Sequence, residues 1–440
     1  EDLAPSNFIF GRARIDGRAV VATADDFTVR GGASDAAIHR KFAQAEQMAH
    51  ELGMPLIRMV DGTGGGGSVK SQDELGFAYV PFLPGWEHVV RNLDRVPVAA
   101  LALGPCAGLG AARVVASHYC VMVRSMSQVF TAGPKVAEAI GEAARDNEAL
   151  GGADIHTRNG VVDDDASSEA EAFARVRAFL SYLPSHAGLK PARMPTSDPP
   201  DRRDGSLVSI VPRNPREAYS MRRIVSAIAD EGSVFEMGAR WGRAVITAFA
   251  RFDGWPVAIL ASDPTFLGGS WTADAADKAR RFIALSELFS LPLLHLVDNP
   301  GFMIGLEAEK AATIRRGVDA LNAVYRARGP WCTVIIRKAY GVAGAAMSDH
   351  TRFQYRFAWP SGDWGSLPAE GGVEVAYKSE LAASADPAGD LARIKARLAG
   401  LASPFRTAER FLIEDIIDPR DTRPLLCEYA NLAWAKLGAA

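Results

Sequence analysis

The chain has 440 residues, of which 48% are apolar and 23% are charged, and its formal net charge at pH 7 is −3. This length is sufficient for two domains of about 200 residues, each with a core of its own. The small net charge gives no reason to expect nucleic acid or an anionic membrane as a partner. The longest apolar stretches, such as residues 96–103, are too short to span a bilayer.

Short apolar strands alternate with amphipathic helices along the chain. Strands are predicted in six apolar runs: residues 19–23, 56–60, 98–103, 257–260, 293–297 and 334–336. Apolar positions that recur every three or four residues predict helices over 35–52 and 274–289. A further helix is predicted over 386–397, after the last strand. This alternation favours an α/β fold.

The same landmarks occur twice in the chain. Three pairs of residues are 237 positions apart: Gly17 and Gly254, Pro55 and Pro292, Asp61 and Asp298. Gly110 and Gly344, in two clusters of small residues, are 234 apart. The shared spacing predicts two copies of one structural unit. We assign residues 1–200 to an N-terminal domain and 201–440 to a C-terminal domain, joined by the Pro-rich stretch 185–216. Two copies of one pocket suggest an enzyme that handles two ligands.

A glycine-rich turn at residues 62–67 contains a formal GxGxxG. A dinucleotide site would require this turn to open a helix and an acidic residue to end the next strand. The sequence after the turn, Gly76 to Pro84, has the pattern of neither a helix nor a strand that ends in an acidic residue. Ser68 occupies the position where a P-loop requires lysine. Nucleotide binding is therefore disfavoured, and a connecting loop without chemistry remains an alternative.

Clusters of small residues at 104–112 and 341–346 each follow a predicted strand. Small side chains let the backbone approach a ligand, and successive amides at a helix start can point at one negative oxygen. Tight packing of a helix on a sheet also requires Gly and Ala, and this remains the alternative. Two clusters at matching positions favour paired sites that stabilise developing oxyanions.

Side chains offer little sign of catalysis. The eight histidines show no HxH or HExxH spacing, so no metal site is predicted. Residues 163–165, three aspartates, are expected to form a solvated acidic loop. Arg337 and Lys338 are either a surface pair or ligands of an anionic group. The four cysteines form no CxxC pair and predict free thiols packed in the core. A reducing compartment is expected, the cytoplasm or, in a eukaryote, the mitochondrial matrix.

In their order, these landmarks closely resemble the carboxyltransferase (β) subunits of biotin-dependent acyl-CoA carboxylases, the propionyl-CoA and methylcrotonyl-CoA carboxylase group. The resemblance runs from about residue 8 to 376. Nine segments carry it: residues 14–18, 25–32, 104–108, 148–156, 179–184, 277–283, 297–302, 337–341 and 358–360. It implies an α/β fold of two tandem crotonase-like (ββα superhelix) domains. The first domain would bind acyl-CoA and the second carboxybiotin, with the active site where the first domain of one subunit meets the second of another.

The resemblance also implies the residues of the site. The amides of Gly108 and Leu109 would hold the thioester enolate, and those of Val342 and Ala343 the biotin ureido oxygen. The biotin site would further include five residues: Gly341, Gly344, Pro300, Gly301 and Phe302. The acyl-CoA site would include another five: Gly64, Gly65, Gly66, Ala107 and Gln354. The ureido anion would remove the α-proton (or a vinylogous γ-proton), so no protein base and no metal are needed.

The implied partners are a biotin carboxylase and biotin carrier (α) subunit, since no Met-Lys biotinylation motif occurs, and other copies of the chain in a hexamer of three dimers. Leu109 and Val342 replace glycines that the family usually has, which leaves the main-chain donors intact. Alternatives are a biotin-linked acyl-CoA decarboxylase component on the same scaffold and a non-catalytic acyl-CoA-binding paralogue. A nicotinamide-dependent oxidoreductase is a more distant alternative.

Overall fold

The computed structural model describes residues 6–33, 38–62, 64, 68–143, 145–353 and 355–438, which form two compact units. Unit 1 comprises residues 1–192 and 237–241, and unit 2 comprises 193–236 and 242–440. The first boundary, between residues 192 and 193, lies in the Pro-rich stretch 185–216. Across the described residues, no helix is both long and apolar enough to cross a membrane.

Unit 1 alternates strands and helices. In chain order its elements are β1 (Phe8–Ile15), β2 (Arg18–Asp25), α1 (His39–Leu52), β3 (Leu56–Val60), α2 (Ser68–Leu75), α3 (Trp86–Leu93), β4 (Val98–Ala102), β5 (Pro105–Ala107), α4 (Leu109–Val115), β6 (Tyr119–Val123), β7 (Gln128–Phe130), α5 (Pro134–Ala139), α6 (Asn147–Gly151), α7 (Ala153–Asn159), β8 (Asp164–Ala166) and α8 (Glu169–Tyr182). The main sheet has the order β1-β2-β3-β4-β6-β8, and β5 pairs with β7. Only β1 and β2 pair antiparallel in it; the other pairs are parallel. Every residue of β4 and β6 is buried, because helices cover a parallel sheet on both faces.

Unit 2 repeats this plan and adds helices at its C-terminal end. Its elements are α9 (Met221–Ile228), β9 (Phe235–Met237, whose last residue belongs to unit 1), β10 (Val245–Phe252), β11 (Trp255–Ser262), α10 (Ala273–Leu288), β12 (Leu293–Asn299), α11 (Leu306–Lys310), α12 (Thr313–Arg326), β13 (Trp331–Tyr340), α13 (Gly341–Ala345), β14 (Tyr355–Ala358), β15 (Asp363–Gly365), α14 (Ala369–Ala376), α15 (Lys378–Ala383), α16 (Pro387–Leu401), α17 (Pro404–Ala408), β16 (Asp415–Ile416) and α18 (Thr422–Gly438). The sheet order is β16-β14-β13-β12-β11-β10-β9, with β15 beside β13. Here β10 and β11 pair antiparallel, and the pairs from β11 to β14 are parallel.

Strand registers give the repeat a structural basis. In unit 1, Val21 of β2 is opposite Leu56 of β3; in unit 2, Ala258 of β11 is opposite Leu293 of β12, 237 positions later in both strands. At the next strand of each unit the spacing changes from 237 to 233. Leu56 pairs with Val98, whereas Leu293 pairs with Trp331, 233 positions after Val98. The clusters of small residues that follow these strands are therefore one residue out of the spacing of 234 between Gly110 and Gly344.

The prediction for residues 163–165 was wrong, since the three aspartates are buried, with exposed fractions of 6–8%. Asp163 accepts the Cys120 amide at 2.8 Å, and Asp164 accepts the Tyr119 hydroxyl at 3.0 Å. Asp165 accepts Arg124 Nε at 2.5 Å and Arg240 Nη1 at 3.0 Å. Carboxylates enter a protein interior when donors pair with them, and these donors lie 41 or more positions away in the chain.

The buried carboxyl of Asp164 predicts a pH-dependent stability. Burial, opposed by Arg175 and assisted by the nearby Asp163, raises the pKa of Asp164 to about 6. Because this pKa lies above that of the unfolded chain, the stabilisation is complete below about pH 4 and is lost as pH rises through about 6. The contribution of Asp164 to the free energy of unfolding should fall by about 2–3 kcal/mol over this pH range.

Asp164→Asn should remove this dependence. Urea unfolding between pH 4 and pH 7.5 gives the free energy of unfolding of the wild type and of the variant. The difference between the two free energies should change with pH. Asp163→Asn should weaken the dependence without abolishing it, because burial is the larger cause of the raised pKa of Asp164 and Asp163 only adds to it. A difference between the wild type and the Asp164→Asn variant that stays constant with pH would contradict the prediction.

Candidate functional site

A sharp turn after β5 opens the helix α4 in unit 1. Gly108 has φ 53°, a conformation that residues with a side chain rarely adopt. Its amide donates to the Phe130 carbonyl at 3.2 Å. The amides of Leu109 and Gly110 come next, in the first turn of α4, where no carbonyl of the same helix can reach them. Within the described parts of the chain they donate to no protein acceptor.

The glycine-rich turn after β3 packs against this helix start. A Cβ on Gly64 would lie 2.9 Å from the Ala107 carbonyl oxygen, and one on Gly110 would lie 2.3 Å from that of Gly62. The structure thus brings together Gly64, Ala107 and the turn at Gly108, as predicted for the acyl-CoA site. Close packing, the alternative explanation for these glycines, is also observed. The amides of Leu109 and Gly110 nevertheless have no acceptor among the described residues. Gly65 and Gly66 lie outside the described residues.

The helix α2 begins at Ser68, directly after the glycine-rich turn. The first requirement of a dinucleotide site is therefore met, contrary to the sequence-based expectation. The second is not, because residues 76–84, all of them described, contain no strand. The structure gives no support to nucleotide binding at this turn.

Unit 2 carries a corresponding turn between β13 and α13. Gly341 has φ 60°, and the amides of Val342 and Ala343 follow it. Among the described residues these two amides also lack a protein acceptor. Val342 is 50% exposed, whereas Ala343 is buried. Gly344 packs on the end of β13, where a Cβ would lie 2.5 Å from the Ala339 carbonyl carbon.

The loop after β12 lies against the same turn. A Cβ on Gly301, which has φ 125°, would lie 3.9 Å from the Tyr340 carbonyl oxygen. Phe302 pairs with Trp271 by a β-bridge and an edge-to-face ring contact, with centroids 6.4 Å apart. Pro300 approaches Gly269. The structure therefore places the predicted residues 300–302 next to Gly341. Gln354 lies outside the described residues.

A buried ion pair fixes the ends of β12 and β13 beneath this turn. Arg337 Nε donates to Asp298 Oδ2 at 3.0 Å, and the Tyr219 hydroxyl donates to the same oxygen at 2.8 Å. Asp298 Oδ1 accepts the Lys338 amide at 3.0 Å. Burial, together with the Asp298 carboxylate, raises the pKa of Tyr219 well above its usual value. Arg337 is thus not a surface residue, and that prediction was wrong. Its guanidinium is engaged by Asp298 and the Glu217 carbonyl, so the geometry gives no support to its predicted role as an anion ligand.

The matching aspartate of unit 1 has a different environment. The Asp61 amide donates to Asp25 Oδ2 at 3.2 Å, while Asp61 Oδ1 is buried without a hydrogen-bond partner among the described residues. A Cβ on Gly104 would lie 1.9 Å from that oxygen. Burial raises the pKa of Asp61, and the neighbouring Asp25 raises it further.

Beside Gly341 and Val342, unit 2 has a cavity of about 750 Å³. Its wall includes Met347, Arg356 and Trp364. Arg356 donates to Glu414 at 3.0 Å, and the Trp364 indole donates to Thr407 Oγ1 at 3.1 Å. Sequence reasoning missed these residues, because their partners lie more than 40 positions away.

Among the described residues, no group of three or more His, Cys, Asp or Glu side chains could hold a metal ion. His295 lies inside unit 2 between Trp271 and Trp331, and burial lowers its pKa to about 4, so the ring is neutral at pH 7. All four cysteines are free and buried, which confirms that prediction.

Comparison with known proteins agrees with this architecture. Residues 4–439 match the family model of the carboxyl transferase domain. The propionyl-CoA carboxylase beta chain of Roseobacter denitrificans is 34% identical over 423 residues, which cover 96% of this chain and 81% of that protein. Methylmalonyl-CoA decarboxylase subunit alpha of Veillonella parvula is 32% identical over 427 residues, covering 96% and 81%. A transcarboxylase 12S structure, with hydrolyzed methylmalonyl-coenzyme A bound, superposes with a TM-score of 0.88 at 28% identity, covering 98% of this chain and 82% of that one.

Proposed function

The chain belongs to the carboxyl transferase family, and we propose that it is the carboxyltransferase component of a biotin-dependent acyl-CoA carboxylase. It exchanges a carboxyl group between biotin and the carbon next to the thioester of an acyl-CoA. One observation carries this proposal: each copy of the repeat ends a strand in a left-handed glycine followed by two open amides.

In unit 1 the open amides suit a thioester oxygen. Removal of a proton from the carbon next to the thioester puts negative charge on that oxygen, and preorganised amides stabilise such charge. Leu109 keeps its predicted role as one donor. We assign the second donor to Gly110, because the Gly108 amide already donates to Phe130 at 3.2 Å. Gly108 then supplies the turn that aims both amides.

In unit 2 the open amides of Val342 and Ala343 suit the ureido oxygen of biotin. The adjoining cavity of about 750 Å³ is large enough for a bicyclic ring system, and Trp364 and Met347 form apolar parts of its wall. Gly341, Gly344 and residues 300–302 form the floor and edge of this site in the proposal. When bound, carboxybiotin supplies both the carbon dioxide and the group that accepts the substrate proton. The chain itself holds the two oxygens and orients them.

No side-chain base is assigned. The buried groups near the turns have partners of their own, as Asp298 has in Arg337 and Tyr219, or are carboxyls whose proton affinity is raised, as in Asp61. Asp61 is not assigned as the carbon base, because its Oδ1 is buried against Gly104. The proposal therefore assigns electrostatic stabilisation to the main chain and proton transfer to the biotin.

A decarboxylase component is the second candidate, favoured by the 32% identity to a methylmalonyl-CoA decarboxylase subunit. The same amides serve both directions of transfer, so the direction depends on the partner that carries biotin. We propose a separate biotin-bearing partner protein. We also propose a hexamer, by analogy with the hexamer of the transcarboxylase 12S. Light scattering coupled to gel filtration measures the mass of the assembly and so tests the hexamer.

Reverse carboxyl transfer tests the proposal. Purified protein is given free biotin and malonyl-CoA, methylmalonyl-CoA or longer 2-carboxyacyl-CoA esters, and loss of the carboxyl group from the ester is measured. Biotin-dependent transfer from at least one ester is expected. Tight binding of CoA esters without transfer to free or carrier-bound biotin would instead support a non-catalytic paralogue. Absence of both binding and transfer would sink the proposal.

A further inference from the structure

A buried guanidinium with a vacant hydrogen-bonding edge lies beside the open amides of unit 1. Arg113, on α4, is 9% exposed. Its Nη1 pairs with Asp25 Oδ1 at 2.9 Å. Its Nε and Nη2 atoms are buried and have no hydrogen-bond partner among the residues that the structure describes. These two atoms form the edge with which arginine binds an oxygen acceptor through two parallel hydrogen bonds.

Aromatic rings hold this guanidinium in place. Its central carbon is 5.2 Å from the centroid of the Phe8 ring and 5.7 Å from that of Phe42. A guanidinium fixed in this way cannot turn its vacant edge towards bulk water. Since burial of unpaired donors is unfavourable, a protein acceptor would be expected if the role of Arg113 were to stabilise the fold alone.

Arg113 lies in the wall of a small cavity, of about 40 Å³, that reaches the proposed oxyanion site. The cavity wall includes Leu109 and Gly110, whose amides are open, and the apolar side chains of Phe42, Leu83 and Trp86. Asn7, Asp25 and His39 are also in the wall, so the guanidinium is one of several polar groups there. A small number of placed polar groups among apolar ones is the usual arrangement by which a pocket selects among ligands of one shape.

The repeat indicates that the scaffold does not need this arginine. With the spacing of 233 that the strands of this region show, the counterpart of Arg113 in unit 2 is Ala346, which is fully buried. The same turn and helix start therefore form there without a guanidinium. Arg113 and Asp25 are additions to the acyl side of the duplicated plan.

We propose that Arg113 selects acyl-CoA substrates whose acyl chain carries a neutral oxygen acceptor, a hydroxyl or keto group, over all-carbon chains of the same length. This inference rests on the proposed function and adds a substrate class to it. The charge near the edge favours a neutral acceptor over a carboxylate. Asp25 already balances the guanidinium, and Asp61 lies next to Asp25, with its amide 3.2 Å from the Asp25 carboxylate, so a ligand carboxylate would face two further carboxyls.

Matched pairs of 2-carboxyacyl-CoA esters test the proposal in the reverse transfer assay. Each pair has one chain length and ends in a methyl or a hydroxyl group; a third series ends in a carboxylate. For the chain length that reaches Arg113, kcat/KM for the hydroxyl ester should exceed that for the methyl ester on the order of tenfold to a hundredfold, the range of a hydrogen bond to a charged group. The carboxylate ester should be the poorest of the three.

Arg113→Met keeps the length of the side chain and removes the donors. It should bring the hydroxyl-to-methyl ratio of kcat/KM to about one. Because this variant leaves Asp25 unpaired, the double variant Arg113→Met/Asp25→Asn repeats the test without a net charge change. Arg177→Met is the matched control, an exposed arginine 3.7 Å from Asp16, and should leave the ratio unchanged.

Two results would overturn the proposal. One is a wild-type ratio of one or less at every chain length, or a preference for the carboxylate ester. The other is an equal loss for hydroxyl and methyl esters in both Arg113 variants, which would mean that Arg113 binds an oxygen of the shared pantetheine arm or is structural. Calorimetric binding of the same pairs gives the ratio independently of turnover, so that absent transfer would count against the proposed function alone.

Discussion

Replacement of Ala343 by proline should lower kcat for carboxyl transfer by about 100- to 1000-fold, the usual loss for one donor of an oxyanion hole. Proline has no amide hydrogen, so the variant loses one of the two donors after Gly341. The fold should tolerate it, because Ala343 lies in the first turn of α13, where proline removes no intrahelical hydrogen bond. Reverse transfer with free biotin measures the effect, since it uses the biotin site directly.

Side-chain changes that keep the amide provide the controls. Ala343→Gly should retain turnover within a few-fold, and so should Leu109→Ala in unit 1. Circular dichroism and the midpoint of thermal unfolding show whether the proline variant is folded. Near-normal turnover of a folded Ala343→Pro protein would rule out Ala343 as a donor. An equal loss in Ala343→Gly would show that packing of the buried methyl group, and not the amide, is what matters.

The fold could be predicted because its signals are local and occur twice. The strand at residues 56–60 has the bounds that its apolar run predicts, and the helix predicted over 274–289 is found as Ala273–Leu288. The predicted family and the predicted fold of two crotonase-like units are confirmed by the matching domain model and by the superposition on transcarboxylase 12S. Because the sequence repeats, the glycines that occur in both copies mark a turn that both copies share. Sites built from main-chain amides depend on such turns.

Pairings between distant charges could not be predicted. Residues 163–165 look like a solvated loop in the sequence, since nothing nearby indicates that Tyr119 or Arg240 will meet them. Arg113 offered a better signal, because it is the one charged residue in the run of small and apolar residues 104–116. A lone charge at that position indicates either a surface or a specific buried partner. The structure shows Asp25, 88 positions away, as that partner.

The largest loss of stability is expected on breaking the ion pair between β3 and α1 in unit 1. Arg58 and Glu46 are both fully buried. Arg58 Nε and Nη2 donate to the Glu46 carboxylate at 2.9 and 3.0 Å, and Nη1 donates to the carbonyl of Ala116 at 2.5 Å. Arg58→Met should lower the free energy of unfolding by about 3–5 kcal/mol. Methionine fills most of the volume, so the loss reflects two changes. The buried Glu46 carboxylate loses its charged partner and keeps only the Asn92 amide, at 2.8 Å, as a donor, and the carbonyl after α4 loses the Arg58 donor.

Urea unfolding at pH 7 measures this loss, and two variants separate its causes. Arg177→Met, which breaks an exposed contact at 3.7 Å to Asp16, should cost less than about 1 kcal/mol. The double variant Arg58→Met/Glu46→Met should recover much of the stability, because it buries no unpaired charge. A single variant no less stable than Arg177→Met would mean that Glu46 finds another donor. Since Arg58 also binds the carbonyl of Arg113, at 3.2 Å, the pair that stabilises unit 1 also fixes the helix that carries the proposed thioester site. Arg58→Met should therefore reduce carboxyl transfer even at urea concentrations where it remains folded.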